Sequence, residues 1–584
     1  MLLGINLSHE SSVAITDKSG IVILAIEEER ISRKKKSIGF PFLSLDLIVK
    51  NRLVSDQIDH VVFGSNENPD MNLAIDYWNK VQTLKGTRGV LTPESFEFLF
   101  LPGQTSRLFF SSKSPKEIVE NLVRFILGDL LSKRCSFTWV KHHDSHLGCA
   151  LGASRSKKSL LVSLDGEGDG ESGVIALQNN RSMGSRTLLM KDIDSLGLLY
   201  SAVTRKYGYL SGRHEGKITG LAAYGKQSAA VEILTNAILI ENGVLKLRYA
   251  KNRINKGIIL ELRKIGLCRN QHINITEIVD AAAEGVSIYP DLAFAVQQVL
   301  ENSVTELIRY WLPKTGTRDV SLAGGVFSNV KLNQRIAEMK EVDNLYIFPN
   351  MGDGGLSLGG IWHELARSGN LANSPLYEDM YLGFDRILEN NEFLGIKKTT
   401  MNIDQLSQFI AKKLSEKKYI GLHQNRMEFG PRALGNRSII FDPRDAALGH
   451  ELNRKLGRTE FMPFAPVILE KYFFDYMETQ NKSQEAFSYM TITCNVKNDV
   501  RDSIPAVVHF DGTARPQIVT PKSNQLLHKI LEVFNGITDI PVLVNTSFNV
   551  HEEPINGDLI DSIDCLRNGV VDYVVSENTV YETT

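Results

Sequence analysis

The chain reads as an α/β protein with more than one domain, and three observations predict it. Apolar strand runs end in glycine-rich loops and return as helical segments, in LLVSLDGEGDG, in DVSLAGGVFSN before NVKLNQRIAEM, and in NLYIFPNMGDGG before LSLGGIWHELARS. Between them, Leu292, Val296, Val299, Leu300, Val304, Leu307, Ile308 and Trp311 share one face of a long helix. The length, 584 residues, exceeds what one hydrophobic core organises.

In chain order, LLGINLS, SSVAITD and IVILAIEE read as three strands, the last two joined at Lys18-Ser19-Gly20 by a hairpin turn. The basic run RISRKKK, residues 30–36, follows as a solvated turn or part of a substrate mouth. Gly168, Gly170 and Gly173 match GxGxxG, but a dinucleotide fold needs a helix next and VIALQ reads as a returning strand. Two strands around an acidic glycine turn fit the phosphate hairpin of actin-like ATPases, with Asp165 and Asp169 facing a metal or a phosphate-bound cation. The segment 212–217, GRHEGK, is one residue short of a P-loop and has no Ser or Thr after its lysine. Pro313 ends the long helix. Polar, turn-rich SGNLANSPLYED marks a linker, giving domains over 1–370 and 406–584 joined by 371–405. No fixed-period repeat is present.

Composition excludes several function classes. A net charge of −2 and the lack of a basic stripe interleaved with aromatics argue against nucleic acid as partner. No apolar stretch has transmembrane length, and MLLGINLSHE has no basic n-region, so no membrane partner and a cytoplasmic location are expected. Five cysteines without a CxxC pair offer neither a disulfide framework nor a zinc ribbon.

The most informative stretch is RMEFGPRALGNRS, residues 426–438. Arg426, Arg432 and Arg437 each carry a planar fork of donors that fits a phosphate or carboxylate. With YIGLHQ before and SIIFDP after, a strand–loop–strand hairpin fixes the arginines instead of leaving them in water. His142 and His146 fall on one helical face, as metal ligation requires, and Asp165 and Asp353 are the carboxylates that join them; the alternative is a pair of polar core histidines. This donor set suits iron, manganese or zinc. His9, at the first strand–turn, is placed to deprotonate a hydroxyl or merely to bond a turn. Lys455 and Arg458 lie before the rigid turn PFAP, Arg515 lies in DGTARPQIV, and Asn545, Thr546, Ser547 and Asn549 end an apolar strand.

Together these blocks, in order along nearly the whole chain, resemble the O-carbamoyltransferase family of nodulation, cephamycin and tobramycin type; GPRALGNRS and NTSFN are its most specific pieces. The resemblance implies an N-terminal domain similar to the threonylcarbamoyl-transferase branch of the actin-like ATPase fold and a C-terminal YrdC-like α/β domain. It implies that the C-terminal domain makes carbamoyl-adenylate from carbamoyl phosphate and ATP, with Mg2+, and that the N-terminal domain passes the carbamoyl group to a hydroxyl of a small-molecule or sugar acceptor, as in natural product biosynthesis. By motif, the metal ligands are His142, His146, Asp165 and Asp353, for Fe2+; the catalytic histidine is His9; the N-terminal nucleotide residues are Lys217, Gly324, Gly325 and Asn329. The carbamoyl phosphate/ATP residues are Arg426, Arg432, Lys455, Arg458, Arg515, Asn545, Ser547 and Asn549. Many members carry Arg before PFAP where this chain has Met462, leaving Lys455 or Arg458 to supply the charge. The alternatives are a tRNA threonylcarbamoyl-type enzyme and an actin-like-fold small-molecule kinase. An acceptor pocket is expected from Asn66–Lys116, rich in aromatic residues, and a homodimer is compatible with the sequence.

Overall fold

The computed structural model describes residues 1–65, 115–179, 186–191, 193–247, 270–284, 286, 289–373, 375–385, 392–458, 463–480 and 484–584. Met462 and nearly all of the expected acceptor segment, including Tyr77, Trp78, Phe96, Phe98, Phe100 and Phe109, lie outside the described residues.

Among the described residues, the front of the chain builds two five-stranded sheets of one topology. In the first, Leu2–Asn6, Ser12–Thr16 and Val22–Glu27 form an antiparallel meander, and Ile58–Phe63 then Leu131–Trp139 add in parallel beside Leu2–Asn6. In the second, Ser159–Gly168, Glu171–Gln178 and Arg186–Met190 make the meander, and Asp319–Ala323 then Asn344–Ile347 add in parallel beside Ser159–Gly168. Each unit ends in a helix, His142–Ala153 after the first and Leu356–Arg367 after the second. These two helices meet backbone to backbone. A Cβ on Gly148 would lie 2.0 Å from the Gly359 carbonyl oxygen, and one on Gly359 2.1 Å from that of Ser145, so only glycine fits. The front half is therefore a duplication in topology. It leaves no repeat in the sequence because sheet topology constrains where residues are apolar, not which residues they are.

The acidic glycine turn does join two antiparallel strands, with Asp169 at φ 51° and Gly170 at φ 83° in the left-handed region that tight hairpins use. Two expectations need correction. Pro313 does not end the long helix, which spans Tyr289–Thr315 with Pro313 in its last turn. Losing one N–H there forfeits a single bond near the end, and the Gly316 amide still reaches the Leu312 carbonyl at 3.0 Å. Nor is 371–405 a free linker. Amides of Val22 and Ala25 donate to the carbonyls of Leu376 and Leu382, and Leu376, Tyr377, Met380, Leu382 and Phe384 are buried. The segment covers the open edge of the first sheet, and its far part, Ile396–Thr400, is already a strand of the next one.

That next sheet has eight strands, in the order Ile396–Thr400, Thr579–Thr583, Tyr573–Ser576, Ile420–His423, Arg437–Phe441, Val542–Ser547, Ala465–Leu469 and Gln517–Val519. Ile420–His423 and Arg437–Phe441 pair antiparallel, so the arginine-rich loop is held between two strands as the flanking apolar runs predict. Among the described residues, no helix is long and apolar enough to cross a membrane.

Candidate functional site

The two units of the front half meet at one cluster. His142 and His146 stand one turn apart at the start of the first unit's terminal helix, and the backbone amide of His142 donates to Asp169 Oδ2 at 2.7 Å. Asp165 comes from the first strand of the second unit and Asp353 from the turn before its terminal helix. The Nε2 atoms of the histidines lie 3.1 Å apart; Asp165 Oδ2 is 3.4 and 3.0 Å from them, and Asp353 Oδ1 is 3.5 Å from each. A cation bonding these atoms at about 2.1 Å would space them about 3.0–3.4 Å apart, close to the distances each imidazole makes with its partners, so the group could hold a small divalent ion. Burial pushes the Asp165 carboxyl up, but the two imidazoles outweigh it and hold that carboxyl well below the usual range. Burial lowers His146, and the carboxylates of Asp165 and Asp353 outweigh it, raising the imidazole. Two imidazoles and two carboxylates converging from separate segments make the core-histidine alternative the weaker one.

His9 is exposed on the neighbouring loop. That loop is fixed by Asn6, whose amide donates to the carbonyls of His9, Glu10 and Asp353, while its oxygen accepts from Ser8. Ser8 Oγ in turn donates to Asp353 Oδ2 at 3.1 Å. Asn6, which the sequence reading passed over, therefore ties His9 to the metal cluster. Gly324, at φ 103°, and Gly325 form a loop pressed on the same strand: a Cβ would sit 2.2 Å from the Leu164 carbonyl oxygen at the first and 2.8 Å from Asp165 Oδ1 at the second. Gly324→Ala is therefore expected to displace Asp165 and abolish stoichiometric metal binding, which elemental analysis of the purified variant measures. Lys217 is buried, 5% exposed, on the helix Glu215–Ala222, with its ammonium 5.4 Å from the Tyr209 ring centroid. Asn329 is spent structurally. It caps Val330–Ala337 by accepting from the Leu332 amide and exchanges two bonds with Gln297, which leaves its side chain little to offer a nucleotide.

At the back of the chain, the expected arginines separate by environment. Arg426 gives its guanidinium to the carbonyls of Gly383, Ile23 and Leu382, lashing the hairpin to the first sheet's edge segment. Arg437 is buried and donates to the carbonyls of Gln424, Asn436 and Asn425. Backbone carbonyls take most donors of both, although the buried Arg437 Nε has no hydrogen-bond partner among the described residues. Arg432 and Arg515 are different. Both are half-buried, Arg515 feels the like charge of Arg432, and each has a buried Nε that has no hydrogen-bond partner among the described residues. Burial lowers Arg432 to about 10, and burial and then Arg432 push Arg515 well below its usual value, with no carboxylate opposing either. Beside them, the Asn545 amide donates to the Ala433 carbonyl and to Gln517 Oε1. Arg458 reaches the end of the same strand, donating to Thr546 Oγ1 at 2.9 Å, Ser547 Oγ at 3.0 Å and Asn549 Oδ1 at 3.3 Å. Lys455 does not join them. It lies in the last turn of Ala446–Lys455, pairs with Glu451 at 3.1 Å and sits over the Tyr419 ring, because that helix turns this face away from the strand end.

Two features were not legible beforehand. Glu428 accepts from the amides of Leu434, Asn436 and Arg437, and so sets the shape of the arginine loop. The basic run 30–36, expected as a solvated turn or part of a substrate mouth, is held by contacts to both halves of the chain. Arg30, 3% exposed, pairs with Glu27 and donates to the Gly430 carbonyl; Arg33 donates to the Ile555 carbonyl. Lys35 feels the charges of Glu552 and Arg458, and Lys36 pairs with Glu10 at 2.7 Å, whose other oxygen accepts from the Gly354 amide beside Asp353.

The fold is that of an α/β protein in which, among the described residues, a His/Asp group that could hold a metal ion lies in the front half and the half-buried arginines Arg432 and Arg515 lie in the rear half. Residues 1–361 match the description Carbamoyltransferase N-terminus and residues 411–583 the description Carbamoyltransferase C-terminus; the chain belongs to the carbamoyltransferase family, and is a transferase. It is 29% identical over 621 residues to the uncharacterized protein sll1178 of Synechocystis, covering 100% of this chain and 97% of that one. It is 28% identical to nodulation protein NolNO of Sinorhizobium fredii, covering 96% of this chain and 78% of the relative. Among solved structures, HypF of T. kodakarensis aligns over 64% of this chain and 48% of its own at 12% identity, with a TM-score of 0.33.

Proposed function

We propose that the chain is an ATP-dependent O-carbamoyltransferase with two reaction sites, the rear one over 406–584 and the front one over 1–370. The observation that carries this reading is the pair Arg432 and Arg515, two half-buried like charges, each with a buried Nε that has no hydrogen-bond partner among the described residues. Such a pair is costly unless an anion completes it. In the rear site, carbamoyl phosphate loses its phosphate to water, and the carbamate oxygen attacks the α-phosphorus of ATP. Carbamoyl-adenylate forms and pyrophosphate leaves. Arg432, Arg515 and Arg458 hold the phosphate charges together, and Ser547 and Asn549 fix Arg458. In the front site, His9 takes the proton of an acceptor hydroxyl as its oxygen attacks the carbamoyl carbon, and AMP leaves. His142, His146, Asp165 and Asp353 would hold a divalent ion there, Fe2+ by the family resemblance, which supplies Lewis acidity to a nucleotide phosphate. The run 30–36 lines the way between the sites.

Pyrophosphate measured after mixing the chain with ATP and carbamoyl phosphate tests the first half. Release that requires carbamoyl phosphate is expected; ADP in place of AMP would point to a kinase. Incubation with a panel of polyols and sugars, followed by mass spectrometry for the gain of one CONH2 in place of hydrogen, tests the second half.

A further inference from the structure

A cluster outside both sites joins three segments remote in sequence. Glu552 Oε1 accepts from His214 Nε2 at 2.8 Å, Glu552 Oε2 lies 3.5 Å from Arg213 Nη1, and His551 Nε2 lies 3.5 Å from Glu552 Oε1. Arg213 Nη2 also donates to the Lys35 carbonyl at 3.2 Å. The Glu552 carboxylate thus ties the turn 210–214 of the front half to the loop 550–553 of the rear half, and Arg213 ties the same turn to the loop 33–36. Glu552 itself is held at φ 63°, where a residue with a side chain is strained and persists only if its surroundings demand it. The turn it holds is weakly packed. Gly208 and Gly212, at φ 80° and 77°, have nothing within 4 Å of where a Cβ would stand, and Leu210 is 56% exposed. Within itself the turn is held by the Leu210 amide on His214 Nδ1 and the Gly212 amide on Glu215 Oε1, and the bonds to Glu552 tie it to the rear half.

Its position gives the cluster a role. Next to it lies the basic loop, whose Lys35 feels the charges of Glu552 and Arg458 and whose Lys36 pairs with Glu10, which accepts from the Gly354 amide. On the rear side, the His551 amide donates to the Leu456 carbonyl, two residues before Arg458. We propose that Glu552 is a positioning residue whose carboxylate clasps the 210–214 turn over the way between the sites and keeps carbamoyl-adenylate inside. The proposal rests on the function given above. An unclasped turn admits water, and the intermediate then escapes and hydrolyses instead of waiting for an acceptor.

The test omits the acceptor. The whole chain is mixed with ATP and carbamoyl phosphate, and pyrophosphate is followed from the first turnover. The unaltered protein should give a burst of about one pyrophosphate per chain and then a slow rate, because an enclosed intermediate blocks the next turnover. His214→Ala and Glu552→Ala should keep the burst amplitude and raise the later rate about tenfold. His214→Gln, which retains an N–H donor, should bring it back down. Truncating Glu552 also frees a strained loop, so His214→Ala, on the opposite partner, is the decisive variant. A burst in both proteins with an unchanged later rate overturns the clasp alone, as does a burst amplitude that falls in step with the rate. No pyrophosphate from the unaltered chain overturns the function, and the clasp with it.

Discussion

Arg515→Met lowers pyrophosphate release about 10²–10³-fold, the loss found when one donor to a developing anion is removed, without lowering the thermal midpoint of the ligand-free protein. The two halves of this result come from one fact. Arg432 and Arg515 are half-buried like charges that repel each other, and among the described residues no carboxylate opposes them. Without ligand, each destabilises the fold, and replacing one by an apolar chain of similar length removes a half-buried, uncompensated charge. With ligand, the same pair grips phosphate oxygens in a place where charge is poorly screened. Inorganic phosphate should therefore raise the midpoint of the unaltered protein, by mass action on the folded state, and fail to raise that of Arg515→Met. Differential scanning calorimetry with and without phosphate, beside a pyrophosphate assay, separates the outcomes. A variant that loses midpoint and activity together would mark Arg515 as a strut of the fold, and the anion pocket would have to be sought elsewhere.

What could be read from the letters follows from how local each signal is. The acidic hairpin, the arginine hairpin and the first meander are each encoded within about twenty residues by apolar runs and turn chemistry, and each forms as expected. The His142/His146 pair is equally local, one helical turn on one face. Convergence is not local. That Asp165 and Asp353 reach the same point depends on two topologically equivalent units packing helix on helix through Gly148 and Gly359, which no single segment declares. The same limit explains the misplacements. Arg426 and Arg437 carry the right chemistry in the right motif, but backbone carbonyls take most of their donors, and carbonyl acceptors are invisible in sequence because every residue has one. Lys455 fails by helical phase, and Asn329 because its cap and Gln297 use it up. The basic run 30–36 reads as a solvated turn or part of a substrate mouth by composition, and which of the two applies depends on partners Glu27, Gly430, Ile555 and Glu10 that lie in four separate segments.

His146→Ala separates the two reactions. Stoichiometric metal is lost and carbamoyl transfer falls by about 10²–10³-fold, as when a group stabilising transition-state charge is removed, while pyrophosphate release without acceptor stays near that of the unaltered protein. The separation is expected because His146 is wholly buried in the front cluster, and the residues around Arg432 and Arg515 come from other strands altogether. The same cluster makes metal binding depend on pH in a known direction. An imidazole must be neutral to bind a metal. Asp165 and Asp353 raise His146, so in the apo protein its proton is held tightly and competes with the ion. Metal affinity should therefore fall as pH drops through that raised value and level off above it, where the imidazole is already neutral. A titration of metal affinity against pH by calorimetry reads the slope. Asp165→Asn should move the descent to lower pH, because removing the carboxylate removes what holds the proton, even as it weakens binding overall by one ligand charge. Loss of pyrophosphate release in His146→Ala would mean that the ion serves the rear chemistry too, and that the division of labour between the two centres is not the one their geometry supports.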